Sequence, residues 1–136
     1  MGKNKKCMLE MQNLYFSNVK LNFEGRMNDS PLKETLTVNH AKREDDDYQV
    51  KVQIDLLLEN EEVNFKLELQ TLGFFKLNRT PDIPDEFAKE ILLKNTVAIM
   101  LPFIRSQVSL LTTQPGMKPI MLQPMDVNQL FDKKNL

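Results

Sequence analysis

A strict alternation of apolar and polar side chains along residues 48–58 constrains this chain most. Apolar residues occupy every even position from Tyr48 to Leu58, and most residues between them are polar or charged. Because successive side chains of a strand point to opposite faces, this pattern predicts a long β-strand with one buried face. Residues 63–70 repeat the pattern after the short polar link 59–62. The two runs therefore predict an antiparallel hairpin.

Two further strands are predicted before this hairpin. In residues 14–24, Leu14 and Phe16 share one parity, whereas Val19, Leu21 and Phe23 share the other. The change of phase at positions 17–18 predicts a β-bulge, which restores one face by inserting a residue. Turn-forming residues fill positions 25–31, and a weaker alternation over residues 34–41 predicts the second strand. The charged run 42–47 is expected to be a solvated loop.

The alternation ends near Gly73, so residues 73–83, with Phe74, Phe75 and Leu77, are predicted to be an irregular apolar crossover. Pro84 suits a helix start, and helical spacing then holds to Leu111. Pro102 is predicted to kink or break this helix. Residues 126–131 have a capping-box pattern and predict a short last helix.

The element order is therefore β-β-β-β-α-α. It predicts an α+β fold in which a four-stranded antiparallel sheet is covered on one face by a long helix and a short C-terminal helix. The length favours a single domain over residues 1–136, with residues 1–8 expected to be disordered or frayed.

Composition limits the possible partners. The formal net charge is −1, so there is no basic surplus for nucleic acid, and no apolar run is long enough to span a bilayer. A single cysteine, Cys7, cannot form an internal disulfide. These features predict a cytoplasmic protein with no nucleic-acid partner and no membrane insertion.

The usual catalytic groupings are absent from the sequence. His40 is the only histidine and Cys7 the only cysteine, which is a poor basis for a metal site or a nucleophile–base pair. The four glycines are too scattered for a phosphate-binding loop. The acidic run 45–47 lacks calcium-loop spacing and is more simply a solvated charge cluster. The sequence therefore predicts no enzyme, no metal and no cofactor.

Apolar residues also occur where a simple core does not require them. Leu57, Leu72 and Phe74 lie on the nominally polar parity of the strands, so both sheet faces carry apolar side chains. Methionines such as Met121 and Met125 cluster near the C-terminus. Methionine is frequent on promiscuous apolar surfaces and is also ordinary core filler, and the sequence leaves both alternatives open.

Three C-terminal segments resemble one known family. They are residues 100–105 (Met-Leu-Pro-Phe-Ile-Arg), 119–124 (Pro-Ile-Met-Leu-Gln-Pro) and 126–131 (Asp-Val-Asn-Gln-Leu-Phe). In their order and proline positions they are similar to the C-terminal third of the bacterial export chaperone SecB. Residues 46–50, 68–70 and 73–75 look like its third strand, fourth strand and crossover. The similarity extends over most of the chain.

The resemblance implies a single SecB-like domain and a homotetramer, built as a dimer of dimers through first strands and long helices. It implies an ATP-independent holdase that binds unfolded polypeptide or preprotein clients in apolar grooves, for Sec-dependent export. A SecB-like chaperone dedicated to one partner, such as an antitoxin, is the alternative. Ordinary core packing remains the alternative for each residue that the resemblance places in a groove: Leu36, Val38, Phe74, Phe75, Leu77, Phe103, Met121, Leu122, Met125, Leu130 and Phe131.

The sequence departs from the family at the positions associated with docking the translocase motor SecA. Two acidic first-strand positions are Asn18 and Asn22 here, and a neighbouring apolar position is Lys66. Only Glu68 keeps its acid as a possible SecA-docking residue. Because charged patches chiefly set encounter rate and partner choice, these replacements bring SecA docking into question and leave client holding unaffected.

Overall fold

The structure is a computed structural model that describes residues 7–123. Four strands are followed by one helix along the chain. Their bounds are β1 Cys7–Gly25, β2 Lys33–Lys42, β3 Asp47–Glu59, β4 Val63–Arg79 and α1 Asp85–Leu111. The predicted α+β class, the four antiparallel strands and the long helix are confirmed. The predicted short C-terminal helix lies outside the described residues.

The strands form one antiparallel sheet in the order β1-β4-β3-β2. Their registers give the sheet two distinct faces. The face that packs on α1, called the helix face, carries the apolar parity of β3 and β4, including Val52, Ile54 and Phe65, which are fully or almost fully buried. The opposite face, called the open face, carries the polar parity. Burial of one parity is the packing that the alternating sequence predicts.

The helix buries a stripe of residues spaced four apart against the sheet. The fully buried Met100, Ile104 and Val108 pack with the inward residues of the sheet into one core. The stripe consists of Ala88, Leu92, Thr96, Met100, Ile104 and Val108.

The predicted crossover after Gly73 is wrong, because β4 continues without interruption to Arg79. Thr71 and Gly73 occupy inward positions of the same parity as Phe75 and Leu77. These two small residues conceal the alternation in the sequence. The space above Gly73 is filled by Met100, since a Cβ atom built on Gly73 would lie 2.9 Å from the methionine sulfur.

Strand β1 contains the predicted bulge, seen as a register shift against β4 between Phe16 and Asn18. A second shift lies between Met11 and Asn13. The strand begins at Cys7, so residues 7 and 8 belong to the sheet rather than to the frayed segment predicted for residues 1–8. Residues 1–6 lie outside the described range.

Helix α1 continues through Pro102, so the predicted break does not occur. Both Pro102 and Ala98, whose carbonyl loses its intrahelical partner, lie on the exposed side of the helix. Water can hydrogen-bond that carbonyl there, which reduces the cost of the proline. In the part of the chain that the structure describes, no helix combines the length and apolarity needed to span a bilayer.

Candidate functional site

The structure distributes the predicted groove residues over three surfaces and the core. Leu36, Val38 and Leu77 lie on the helix face near β2 and α1, Phe103 and Met121 lie on the outer side of α1, and Phe74 lies on the open face. Phe75 is completely buried in the core, the alternative that the sequence left open for it. Leu122 is also buried. Three predicted positions lie outside the described residues: Met125, Leu130 and Phe131.

The outer edge of β2 has no neighbouring strand among residues 7–123. Leu36 and Val38 pair with Ile54 and Val52 of β3, so their side chains point to the helix face. They pack against the core but remain only half-buried. An unpaired strand edge beside apolar side chains is the geometry that captures extended peptides by strand addition.

His40 holds this edge to the helix. Its Nε2 lies 3.1 Å from Oγ1 of Thr96. The Thr96 hydroxyl donates its proton to the carbonyl of Leu92, so its oxygen accepts from the imidazole N–H. Burial lowers the pKa of His40, and hydrogen bonding to the backbone of Leu92 and Leu93 opposes that shift. The histidine is therefore neutral near pH 7 and positions β2 against α1.

A cavity of about 360 Å³ opens beside His40, between the end of β2 and the first turns of α1. We call it the β2–α1 cavity. Its apolar wall includes Leu77, Ala88, Leu92 and Leu93. Its remaining lining residues are His40, Lys42, Tyr48, Arg79, Asp85 and Lys89. The predicted groove residue Leu77 thus faces a real cavity although little of its side chain meets bulk solvent.

A second concavity, of about 450 Å³, lies on the outer side of α1 and is called the α1 groove. The chain after the helix runs back beside it, held by a 2.8 Å hydrogen bond from the Ile120 N–H to Oγ1 of Thr112. Met121 is 70% exposed there, and Ser109 donates to its sulfur. The groove is lined by Pro102, Arg105, Ser106, Ser109, Leu110, Thr113, Met121 and Leu122.

The open face carries one aromatic cluster. Phe74 stacks on Tyr15 of β1 with ring centroids 5.9 Å apart. The guanidinium of Arg43 lies 5.3 Å from the centroid of the Phe74 ring, within the range of a cation–π contact. These partners cover Phe74 in part and separate it from the predicted groove residues of the helix face.

Glu68 lies on the open face between two cross-strand neighbours, Lys20 of β1 and the acidic Asp55 of β3. The Glu68 carboxylate is 3.7 Å from Nζ of Lys66. Asn18 and Asn22 flank Lys20 on the same face. The sequence grouped Asn18, Asn22, Lys66 and Glu68, and the structure places them together on a patch of mixed charge.

Within residues 7–123, no three His, Cys, Asp or Glu side chains form a group that could hold a metal ion. The features that sequence reasoning missed are the cations of the β2–α1 cavity, namely Lys42, Arg79 and Lys89. They come from three elements that are distant in sequence, and Arg79 lies in a segment predicted to be irregular. Only correct placement of the end of β4 would have brought them together.

Comparison with known proteins gives this architecture a family. The family model of SecB, described as preprotein translocase subunit SecB, matches residues 4–136. The chain belongs to the SecB family. The resemblance carried by the C-terminal segments is thereby confirmed.

Curated SecB relatives are similar over most of this chain. Protein-export protein SecB of Paramagnetospirillum magneticum is 27% identical over 111 residues, which is 82% of this chain and 68% of that protein. The Anaplasma phagocytophilum protein of the same name is 28% identical over 64% of this chain and 56% of its own length. The Rickettsia africae protein is 30% identical, with shares of 67% and 59%. This SecB-family chain thus spans little more than half of the last two relatives.

A solved structure has the same fold. The SecB-like chaperone of Mycobacterium tuberculosis, solved in complex with a ChAD peptide from an antitoxin, superposes with a TM-score of 0.66. The alignment covers 87% of this chain and 91% of that one, at 14% sequence identity. At this identity the likeness establishes the SecB fold.

Proposed function

We propose that this chain is an ATP-independent holdase chaperone of the cytoplasm, which binds unfolded polypeptide or preprotein clients and performs no covalent step. The observation that carries the proposal is the β2 edge, where an unpaired strand lies beside the half-buried Leu36 and Val38. Membership of the SecB family supports it, since curated relatives are named protein-export proteins.

A client segment would add to the outer edge of β2 as an extended strand. Its backbone would pair with the free edge, and alternate side chains would lie on the helix face beside Leu36 and Val38. The apolar contacts supply affinity without demanding one sequence, because backbone pairing is the same for every client. In this proposal Phe103 and Met121, with the α1 groove, give a second apolar contact for longer clients.

The test compares two substitutions on one strand. Val38→Asp places a charge on the helix face of β2, whereas Thr37→Asp places the same charge on the open face one residue away. Burying an unpaired carboxylate against a client is costly, so Val38→Asp should weaken binding of a fluorescent unfolded client at least about tenfold. Thr37→Asp should change it less than about threefold. Equal effects of the two variants would contradict binding at this edge.

A dedicated chaperone for one partner, such as an antitoxin, is the second candidate. The patch of mixed charge around Glu68 favours it. The family resemblance implies that SecA docks on acidic residues of this face, and here Lys66 and Lys20 offset the charge of Glu68. The fold likeness to a chaperone bound to an antitoxin peptide agrees with it. Affinity capture from the native host distinguishes the two: one small dominant protein favours the dedicated role, and a broad preprotein pool with SecA favours export.

We also propose that the chain forms a homotetramer, a dimer of dimers. Strand β1 is an edge strand of 19 residues, and Tyr15 and Val19 on it are exposed. Long unpaired edges are normally covered in native proteins. Helix α1 also exposes Phe87, which is not a lining residue of the α1 groove. Native mass spectrometry should give four chains, and Val19→Lys should shift the distribution toward smaller species. A monomer at micromolar concentration would contradict this assembly.

A further inference from the structure

We infer that the β2–α1 cavity binds the carboxyl terminus of a client chain that ends in an apolar residue. The inference rests on the proposed holdase function and specifies one part of the client that the chaperone recognises. It depends on the position of the cavity, on the charge of its lining and on one enclosed donor.

The cavity lies at one end of the β2 edge, to which client segments are proposed to bind. Leu36, Val38 and His40 alternate along the helix face of β2, and His40 lines the cavity. An extended segment added to the β2 edge parallel to that strand would therefore end beside the cavity. A volume of about 360 Å³ is at the small end of ligand pockets, which fits a terminal residue better than a continuing chain.

The charge of the lining selects an anion. Lys42, Arg79 and Lys89 line the cavity, and Asp85 is the only acidic residue among its lining residues. The Asp85 side chain is almost fully exposed, so it neutralises the site weakly. An internal peptide segment brings a negative charge only where it carries an acidic side chain, whereas every chain terminus brings a carboxylate.

Arg79 supplies the specific contact. Its Nη1 is enclosed and forms an ion pair with Asp85, 2.9 Å from Oδ1, but makes no hydrogen bond of good geometry within the described residues. A guanidinium whose N–H lacks a well-aligned acceptor can take a further carboxylate, the acceptor that it binds most strongly. Leu77, Ala88 and Leu92, which also line the cavity, then accommodate the apolar side chain of the same terminal residue.

The test uses one fluorescein-labelled apolar peptide ending in leucine, made as the free acid and as the carboxyl-terminal amide. Fluorescence anisotropy with the full chain should show about tenfold tighter binding of the acid, the gain expected for a charge-assisted contact. Lys89→Gln and Lys42→Gln should each reduce this ratio to about threefold. Lys94→Gln, on the same helix but outside the cavity, should leave the ratio unchanged.

The outcomes separate this inference from the proposed function. Tight and equal binding of acid and amide would overturn the inference and leave the holdase proposal standing. Failure of both peptides to bind would overturn both. Octanoate tests whether the cavity binds a free fatty acid instead. Saturable octanoate binding that Lys89→Gln abolishes, together with equal binding of the two peptides, would assign the cavity to a fatty acid. It would overturn recognition of a client terminus.

Discussion

The contact between Gly73 of β4 and Met100 of α1 gives a quantitative prediction. A Cβ atom at position 73 would lie 2.9 Å from Sδ and 3.1 Å from Cε of Met100, and 3.0 Å from Cε2 of Phe75. Overpacking of this kind costs about 1–3 kcal/mol, and replacing glycine returns about 0.4–1 kcal/mol by restricting the unfolded chain. Gly73→Ala should therefore lower the free energy of unfolding by about 1–2 kcal/mol.

A double-mutant cycle isolates the contact. Met100→Ala alone removes a completely buried side chain and should cost about 2–5 kcal/mol. In the double variant the methyl group introduced at position 73 enters the vacated space, so the combined loss should be smaller than the sum of the single losses by at least about 1 kcal/mol. Urea unfolding followed by far-ultraviolet circular dichroism measures each value, at one protein concentration because assembly contributes to stability.

Gly25 provides the matched control. Its φ is +95°, and a Cβ atom there would lie 2.1 Å from the carbonyl oxygen of Glu62, far from Met100. Gly25→Ala should cost more than Gly73→Ala and should combine additively with Met100→Ala. If the losses of Gly73→Ala and Met100→Ala also add to within about 0.5 kcal/mol, the two residues are not in contact. That result would also refute the continuous β4 that positions Leu77 and Arg79.

Phe75→Ala should lower the free energy of unfolding by about 3–5 kcal/mol, whereas Phe74→Ala on the open face should cost about 1 kcal/mol; equal losses in urea unfolding would contradict their placement on opposite faces. Because burial lowers the pKa of His40, the unfolded chain binds its proton more readily. Stability should be at its full value above pH about 6.5 and decline as the pH falls through the folded-state pKa, and His40→Gln should flatten that decline. Glu68→Gln should change the free energy of unfolding by less than about 1 kcal/mol, since the ion pair of Glu68 with Lys66 is partly exposed. A larger loss that persists in high salt would contradict this weak surface contribution.

Much of the sheet is predictable because burial of every second side chain repeats along its strands. Each inward residue of β3 is large and apolar, so period two is plain in the sequence. The bulge in β1 is equally visible, because one face must be restored after a change of phase. The end of β4 is different. At Thr71 and Gly73 the inward volume comes from Met100 of the helix, a partner that lies 27 residues beyond Gly73 along the chain and that local periodicity cannot identify.

The candidate site was less predictable for the same kind of reason. A half-buried residue such as Val38 and a completely buried one such as Phe75 are both apolar in the sequence. Only the edge position of β2 leaves Val38 accessible, and sheet order is not encoded in any single strand. Phe74 and Phe75 are adjacent in a strand and therefore point to opposite faces, so only one of them can lie in the core. The cations of the β2–α1 cavity required the register of three elements.

Suppression of client aggregation tests the central claim most directly. A chemically denatured client is diluted into buffer without ATP, and light scattering is recorded with increasing amounts of the full chain. We expect scattering to be suppressed at sub-stoichiometric tetramer, Thr37→Asp to retain the effect, and Val38→Asp to lose most of it. Undiminished aggregation at a fourfold excess of the unaltered protein would contradict the holdase function.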